Sequence, residues 1–73
     1  MSSYYLKVTH IPTKELIGMS VPEGEDGLGN LQNICTLFGK SKLQYLELET
    51  IDGRLTIPET VLKVCTILLE EVL

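Results

Sequence analysis

The C-terminal segment, residues 61–73, is more apolar than a single helix face requires. One stripe at helical spacing would contain Val61, Val64, Cys65, Leu68 and Val72. Further leucine and isoleucine residues fall between the members of this stripe, so a helix here would be apolar around most of its circumference. A helix of that kind is buried on most sides. Burying this segment requires more contact surface than a short chain has, and we expect another polypeptide to provide it.

The short chain limits how much apolar surface the protein can bury by itself. We predict a single domain, residues 1–73, and a domain of this size buries only roughly 60% of the surface that its unfolded chain exposes. Two separated cysteines, Cys35 and Cys65, and one histidine do not make a four-ligand zinc site. We accordingly expect no metal and no cofactor. Self-association remains as a way to enlarge the core, so we predict a homodimer.

Charge and compartment narrow the range of partners. Ten acidic residues against six basic ones give a net charge of −4, whereas a nucleic-acid or anionic-membrane partner is usually met by a basic surface. The densest apolar run, residues 61–69, is far shorter than the ~20 residues of a membrane span. The opening residues lack the basic start and apolar run of a signal sequence. We expect a cytoplasmic protein with reduced thiols and no membrane partner.

The first half of the chain predicts a hairpin followed by a helix. Residues 4–11 alternate in polarity and indicate a strand, and residues 16–21 indicate a second strand with Ile17, Met19 and Val21 on one side. The glycine-rich acidic stretch at residues 23–29 is typical of a loop. Apolar residues then recur at helical spacing, which predicts a helix over residues 29–38 that stops at a left-handed Gly39.

The second half follows the same plan. Residues 43–50 alternate and predict a strand, Asp52 and Gly53 suit a type I′ turn, and residues 54–57 return as a strand. Pro58 suits the first turn of a helix capped by Ile57, and this helix is expected to run nearly to residue 73. The repetition is consistent with duplicated ββα units at residues 4–39 and 43–73.

These elements together predict an α+β fold with the order ββαββα. We expect a mostly antiparallel four-stranded sheet with both helices packed on one face. The order follows from two hairpins, each followed by a helix. A two-layer arrangement of this kind would bury one sheet face and leave the other in solvent.

The residues able to carry catalysis are few. His10 alternates onto the same strand face as apolar neighbours, and Cys35 and Cys65 fall on apolar helix faces, where a cysteine usually acts as a small hydrophobe. Glu47 and Glu49 share a strand face and look like an ordinary solvated pair. We therefore predict that the protein is not an enzyme. A catalytic site between subunits that uses His10 or Cys35 is the third-ranked alternative.

The stretch IDGRLTIPE, residues 51–59, suggests a different function. Its Gly53, Arg54, Ile57 and Pro58 resemble the Gly-Arg-x-x-Ile-Pro hairpin of the swapped-hairpin DNA-binding family of transition-state regulators and antitoxins. The resemblance implies DNA binding, with Arg54 and Lys63 as the cations that contact it. The same letters also fit a turn at Gly53 and a helix that opens at Pro58, without any DNA.

We therefore predict a small acidic protein-binding module, a regulator, adaptor or inhibitor, that forms a homodimer through its second helix or a sheet edge. A DNA-binding regulator or antitoxin is the alternative. The predicted partner surface consists of Val61, Val64, Leu68, Leu69 and Val72.

Overall fold

The computed structural model describes residues 2–72 and has an α+β fold. Its elements follow the order ββαββαβ. They are β1 (Ser3–His10), β2 (Glu15–Met19), α1 (Glu25–Gly39), β3 (Tyr45–Thr50), β4 (Gly53–Pro58), α2 (Glu59–Leu62) and β5 (Cys65–Val72). Neither helix of this part of the chain has the length and apolarity to cross a bilayer.

The strands form two antiparallel sheets. One has the order β2-β1-β5, and the other is the β3-β4 hairpin. β1 lies in the middle of the larger sheet and pairs with β5 along its whole length, from Ser3 opposite Val72 to His10 opposite Cys65. The first strand, β1, and the last, β5, are therefore neighbours in the same sheet.

The predicted single four-stranded sheet with two covering helices is wrong in its arrangement. The α+β class, both hairpins and the antiparallel pairing are confirmed, but the hairpins belong to separate sheets. The strand that joins the first hairpin is β5, which had been predicted as helix. The second half contains this additional strand. The duplication of residues 4–39 and 43–73 stays a prediction.

The second helix is much shorter than predicted. It spans only Glu59–Leu62, with Pro58 rather than Ile57 at its N-cap, and the chain then becomes β5. The segment contains β-branched residues, which favour strands. Cys65, Ile67 and Leu69 also alternate, which suits a sheet with one buried face. Pairing with β1 satisfies the backbone of β5 along one side, and this tertiary contact overrides the helical spacing.

The first helix is longer than predicted, because it begins at Glu25 inside the expected loop. Glu25 and Asp26 lie in its first turn, where acidic side chains complement the helix dipole. The left-handed residue after the helix is Ser41, with φ 57°, and not Gly39. Lys42 N–H donates to the Leu37 carbonyl at 2.9 Å, the long backbone bond of a Schellman motif.

The β3-β4 turn is displaced by one residue from its predicted position. Thr50 pairs with Gly53, so Ile51 and Asp52 occupy the corners. Neither corner has positive φ, which excludes type I′, while Gly53 has φ 127°. The Thr50 hydroxyl donates to the Gly53 carbonyl at 2.8 Å and accepts from Asp52 N–H at 3.2 Å, and these bonds hold the turn.

One core joins all these elements. The inner face of the larger sheet is covered by α1, by the β3-β4 hairpin and by α2. The buried residues are Leu6, Val8, Leu31, Leu46, Leu48, Ile57, Leu62 and Cys65. Each burial removes apolar surface from water, and together these contacts hold the two sheets against each other.

Shortening a core residue on the central strand should strongly destabilise the protein. Leu6→Ala removes a fully buried side chain and leaves a cavity, so we expect a loss of about 2–5 kcal/mol in the free energy of unfolding. The exposed Leu16 is the matched control, and Leu16→Ala should change stability by less than about 0.5 kcal/mol. Urea unfolding measures both. Equal losses in the two variants would contradict this account of the core.

Candidate protein-binding surface

The outer face of the β2-β1-β5 sheet is not covered by any other part of residues 2–72. Side chains on this face alternate with those that point into the core. Four of them are exposed apolar residues: Leu16 (51%), Met19 (44%), Leu68 (52%) and Val72 (42%). We call this surface the outer face. Its other members are Ser3, Tyr5, Lys7, Thr9, Thr66 and Glu70.

A continuous row crosses the outer face from edge to edge. Met19 on β2 lies opposite Lys7 on β1, and Lys7 lies opposite Leu68 on β5. Cross-strand partners on one face have Cβ atoms about 5 Å apart, so the three side chains form one contact strip. No carboxylate of residues 2–72 forms an ion pair with Lys7. The strip thus combines two apolar ends with an unpaired central cation.

The next pair along the sheet is polar. Tyr5 lies opposite Glu70. Partial desolvation raises the pKa of the Tyr5 phenol, and the charge and hydrogen bonding of Glu70 raise it further. The phenol is therefore protonated at neutral pH and can donate a hydrogen bond. This corner gives the outer face a polar margin beside its apolar strip.

A groove of about 440 Å³ adjoins the outer face where β2 meets the turn between β3 and β4. Leu16 and Met19 belong to both surfaces. On the other side the groove is lined by the turn, where Ile51 is 89% exposed. A turn corner usually carries a polar residue, so this isoleucine extends the exposed apolar area beyond the sheet.

The residues predicted to bind a partner do not form one helical stripe. Val61 and Leu69 pack against the core, while Leu68 and Val72 lie on the outer face. Val64 lies between α2 and β5, and its carbonyl accepts a hydrogen bond from Ile11 N–H at 2.8 Å. Alternation along a strand places residues that a helix would put on one side onto opposite faces of the sheet. Leu68 and Val72 therefore lie on the same face as residues of β1 and β2.

Leu16 and Met19 were not predicted to be surface residues. Met19 was expected on the same side as Ile17. A register shift between Val8 and Thr9 changes the facing of β2, so Ile17 packs toward the core and Met19 points outward. Polarity alternation alone carries no signal for such a bulge.

The two cations expected to contact DNA are ion-paired within the chain. Arg54 lies 2.9 Å from Glu49 and 3.6 Å from Glu47, and Lys63 lies 3.9 Å from Glu59. The hydrogen bond to Glu49 raises the pKa of Arg54, and the charges of Glu49 and Glu47 add to this. The hairpin surface around Arg54 is thus acidic, which opposes the approach of a polyanion.

Two of the residues considered for catalysis, His10 and Cys65, make structural contacts. His10 Nδ1 lies 2.8 Å from the Thr13 hydroxyl oxygen, and the Cys65 thiol donates to the Val61 carbonyl at 3.1 Å. Burial raises the pKa of both Cys65 and Cys35. Both thiols therefore stay protonated at neutral pH and are weak nucleophiles.

A cleft of about 350 Å³ lies between the end of α1 and α2. Its apolar lining residues are Phe38, Leu43, Leu62 and Cys65, and the ion pair of Glu59 and Lys63 also lines it. Residues 2–72 contain no cluster of three side chains suited to hold a metal ion. The cleft offers apolar contact, and burial raises the pKa of its Cys65 thiol.

Comparisons of the chain with models of protein families, with curated proteins and with solved structures gave no match.

The thiols should make stability sensitive to alkaline pH. Because folding raises both thiol pKa values, the folded state holds these protons more tightly than the unfolded state. The resulting stability is complete below the ordinary thiol pKa, about 8.5, and is lost as pH rises through the raised values. Urea unfolding between pH 7 and about 9.5 should show a falling free energy. The variant with Cys35→Ala and Cys65→Ala should show a smaller fall, and an unchanged fall would contradict this assignment.

Proposed function

We propose that the chain is a small acidic, non-enzymatic protein-binding module of the cytoplasm, a regulator, adaptor or inhibitor, that acts as a homodimer. The observation that carries this proposal is the outer face, on which Leu16, Met19, Leu68 and Val72 lie exposed on one sheet. Exposed apolar side chains gathered on one face of a small protein mark a site of interaction. The protonated thiols and the absence of a metal-ligating cluster from residues 2–72 are compatible with a binding role.

The partner of the outer face is a protein with an apolar strip and a carboxylate. Apolar side chains of the partner would cover Met19 and Leu68, and the carboxylate would pair with Lys7 between them. The row that joins these three residues sets the spacing of the partner groups. We assign an amphipathic helix to this role, because its apolar side can pack on one face of a sheet.

The DNA-binding alternative requires Arg54 and Lys63 to leave their carboxylates. We expect no tight DNA binding at physiological salt, because the hairpin surface around Arg54 is acidic. Titration of duplex DNA at several salt concentrations tests this, since phosphate contacts give affinity that falls steeply with salt. Salt-steep binding that is lost in Arg54→Ala but kept in Lys14→Ala would favour the DNA-binding alternative instead.

Reversing the character of the outer face should abolish capture of the partner. Met19→Arg places a charge at one end of the apolar strip, at an exposed position where folding should tolerate it. Affinity capture from the native host should retain proteins with the wild type that are lost with Met19→Arg. Each purified candidate should then bind the variant at least about tenfold more weakly, a difference of about 1.4 kcal/mol.

Tyr45→Arg is the matched control, because Tyr45 is also a large exposed residue and lies on the separate β3-β4 sheet. This variant should capture the same proteins as the wild type. Circular dichroism and the unfolding midpoint establish that both variants are folded. Equal binding by wild type and Met19→Arg would refute the assignment of the outer face.

A further inference from the structure

The two outer strands of the larger sheet differ in how well their free edges are protected from pairing. β2 is five residues long, contains Gly18 and lies at a register shift. β5 is eight residues long and has no proline, glycine or lysine, and its pairing with β1 is regular throughout. Natural sheets usually blunt an edge with such residues or with a bulge. The edge of β5 has no such protection except the charges of Glu70 and Glu71.

The hydrogen-bond phase of β5 identifies the backbone groups that point away from β1. Ile11 N–H donates to the Val64 carbonyl, so the backbone groups of Val64 point toward β1. The direction of the backbone N–H and C=O groups alternates along an antiparallel strand, so those of the even-numbered residues of β5 also point toward β1. The odd-numbered residues direct N–H and C=O toward the free edge. They are Cys65, Ile67, Leu69 and Glu71.

We infer that a second copy of this chain pairs its β5 with this edge, antiparallel, about a two-fold axis between the two Leu68 residues. The two copies then share one continuous six-stranded sheet. A two-fold axis perpendicular to the sheet keeps both outer faces on the same side of the sheet. Such an axis must pass midway between one residue and the same residue of the second copy, because directly opposite residues share a face. The inference names the dimer interface and rests on the proposed function for the homodimeric state.

The register follows from the four edge-directed residues. With the axis at Leu68, Cys65 lies opposite Glu71 of the second copy, and Ile67 lies opposite its Leu69. The reciprocal pairs complete the set, so all four residues find partners within β5. The interface would contain about eight new backbone hydrogen bonds, two for each pair. An axis at the residue before or after Leu68 pairs only three of the four residues.

Charge favours the same register. Glu70 lies opposite Thr66 of the second copy, which places the two Glu70 residues about 13 Å apart along the sheet. That distance exceeds the ~8 Å screening length at physiological salt, so their repulsion is weak. An axis at Leu69 would place them about 7 Å apart, inside the screening length. The acidic end of β5 therefore disfavours that register.

Pairing also joins the two outer faces. Leu68 of each copy would lie at the centre, and the row from Met19 through Lys7 to Leu68 would continue into the same row of the second copy in reverse order. A partner helix would then meet a strip with two cations and a central pair of leucines. The dimer thus doubles the proposed binding surface without burying it.

Disulfide trapping tests the register. At a non-hydrogen-bonded antiparallel pair the Cα atoms are about 4.5 Å apart, which lies in the range that a disulfide spans. Leu68→Cys should therefore give a covalent dimer on mild oxidation, identified by mass spectrometry of the linked peptides. Thr66→Cys is the matched control on the same face. The two Thr66 positions lie about 13 Å apart in the proposed register and should not cross-link.

Sedimentation over micromolar concentrations, with amide hydrogen exchange, tests the dimer independently of any cross-link. The wild type should sediment at twice the chain mass, and the amides of Ile67 and Leu69 should be protected as strongly as those of Thr66 and Leu68. Leu68→Arg places two cations side by side at the axis and should raise the dissociation constant at least about tenfold. A wild-type monomer at high micromolar concentration would overturn the interface. Cross-linking through Thr66→Cys instead of Leu68→Cys would overturn the register.

The Met19→Arg variant separates this inference from the proposed function. Met19 lies on β2, at the far edge of the sheet from β5. The variant should stay dimeric although it loses the partner. If it stays dimeric and also keeps the partner, the binding face is wrong while the dimer stands. If the wild type is a monomer that binds through Met19, the dimer is wrong while the binding face stands.

Discussion

The pairing of β1 with β5 is the interaction on which the rest of the structure depends. It places Leu6 and Val8 in the middle of a three-stranded sheet, where both are fully buried. That sheet provides the surface on which α1 and the β3-β4 hairpin pack. Without β5, the first hairpin would be a two-stranded ribbon, which has little stability alone. The same pairing directs one side of β5 to solvent and thereby creates the free edge.

Local patterns in the sequence predicted the hairpins but not their assembly. Alternation located β1, β2, β3 and β4 to within one or two residues, because each has one buried face. The secondary structure of residues 65–72 could not be predicted from the local sequence. Their apolar residues recur at three- and four-residue intervals and also alternate, so they fit a helix and a strand. The choice was made by β1, a partner distant in sequence, and local periodicity contains no information about such a partner.

The candidate surface was predictable in kind and only partly in its residues. An excess of apolar surface near the C-terminus is present in the structure, at Leu68 and Val72. Met19 and Leu16 were missed as members of the surface, because the side of the sheet on which they lie depends on a bulge in the pairing of β1 with β2. The cations assigned to DNA were found beside carboxylates. Arg54 reaches Glu49 across the hairpin because they are direct partners in the β3-β4 ladder, a proximity that follows once the turn position is known.

The position of β5 in the chain has a consequence for biosynthesis. The central strand emerges from the ribosome well before β5, the longer of its two partners. Contacts between residues so far apart in sequence make folding slow, since a long loop must close before they form. Leu6 and Val8 of the nascent chain stay exposed until residues 65–72 have been translated. A premature stop that removes β5 would therefore leave an aggregation-prone product, a substrate for proteases rather than a weakened version of the protein.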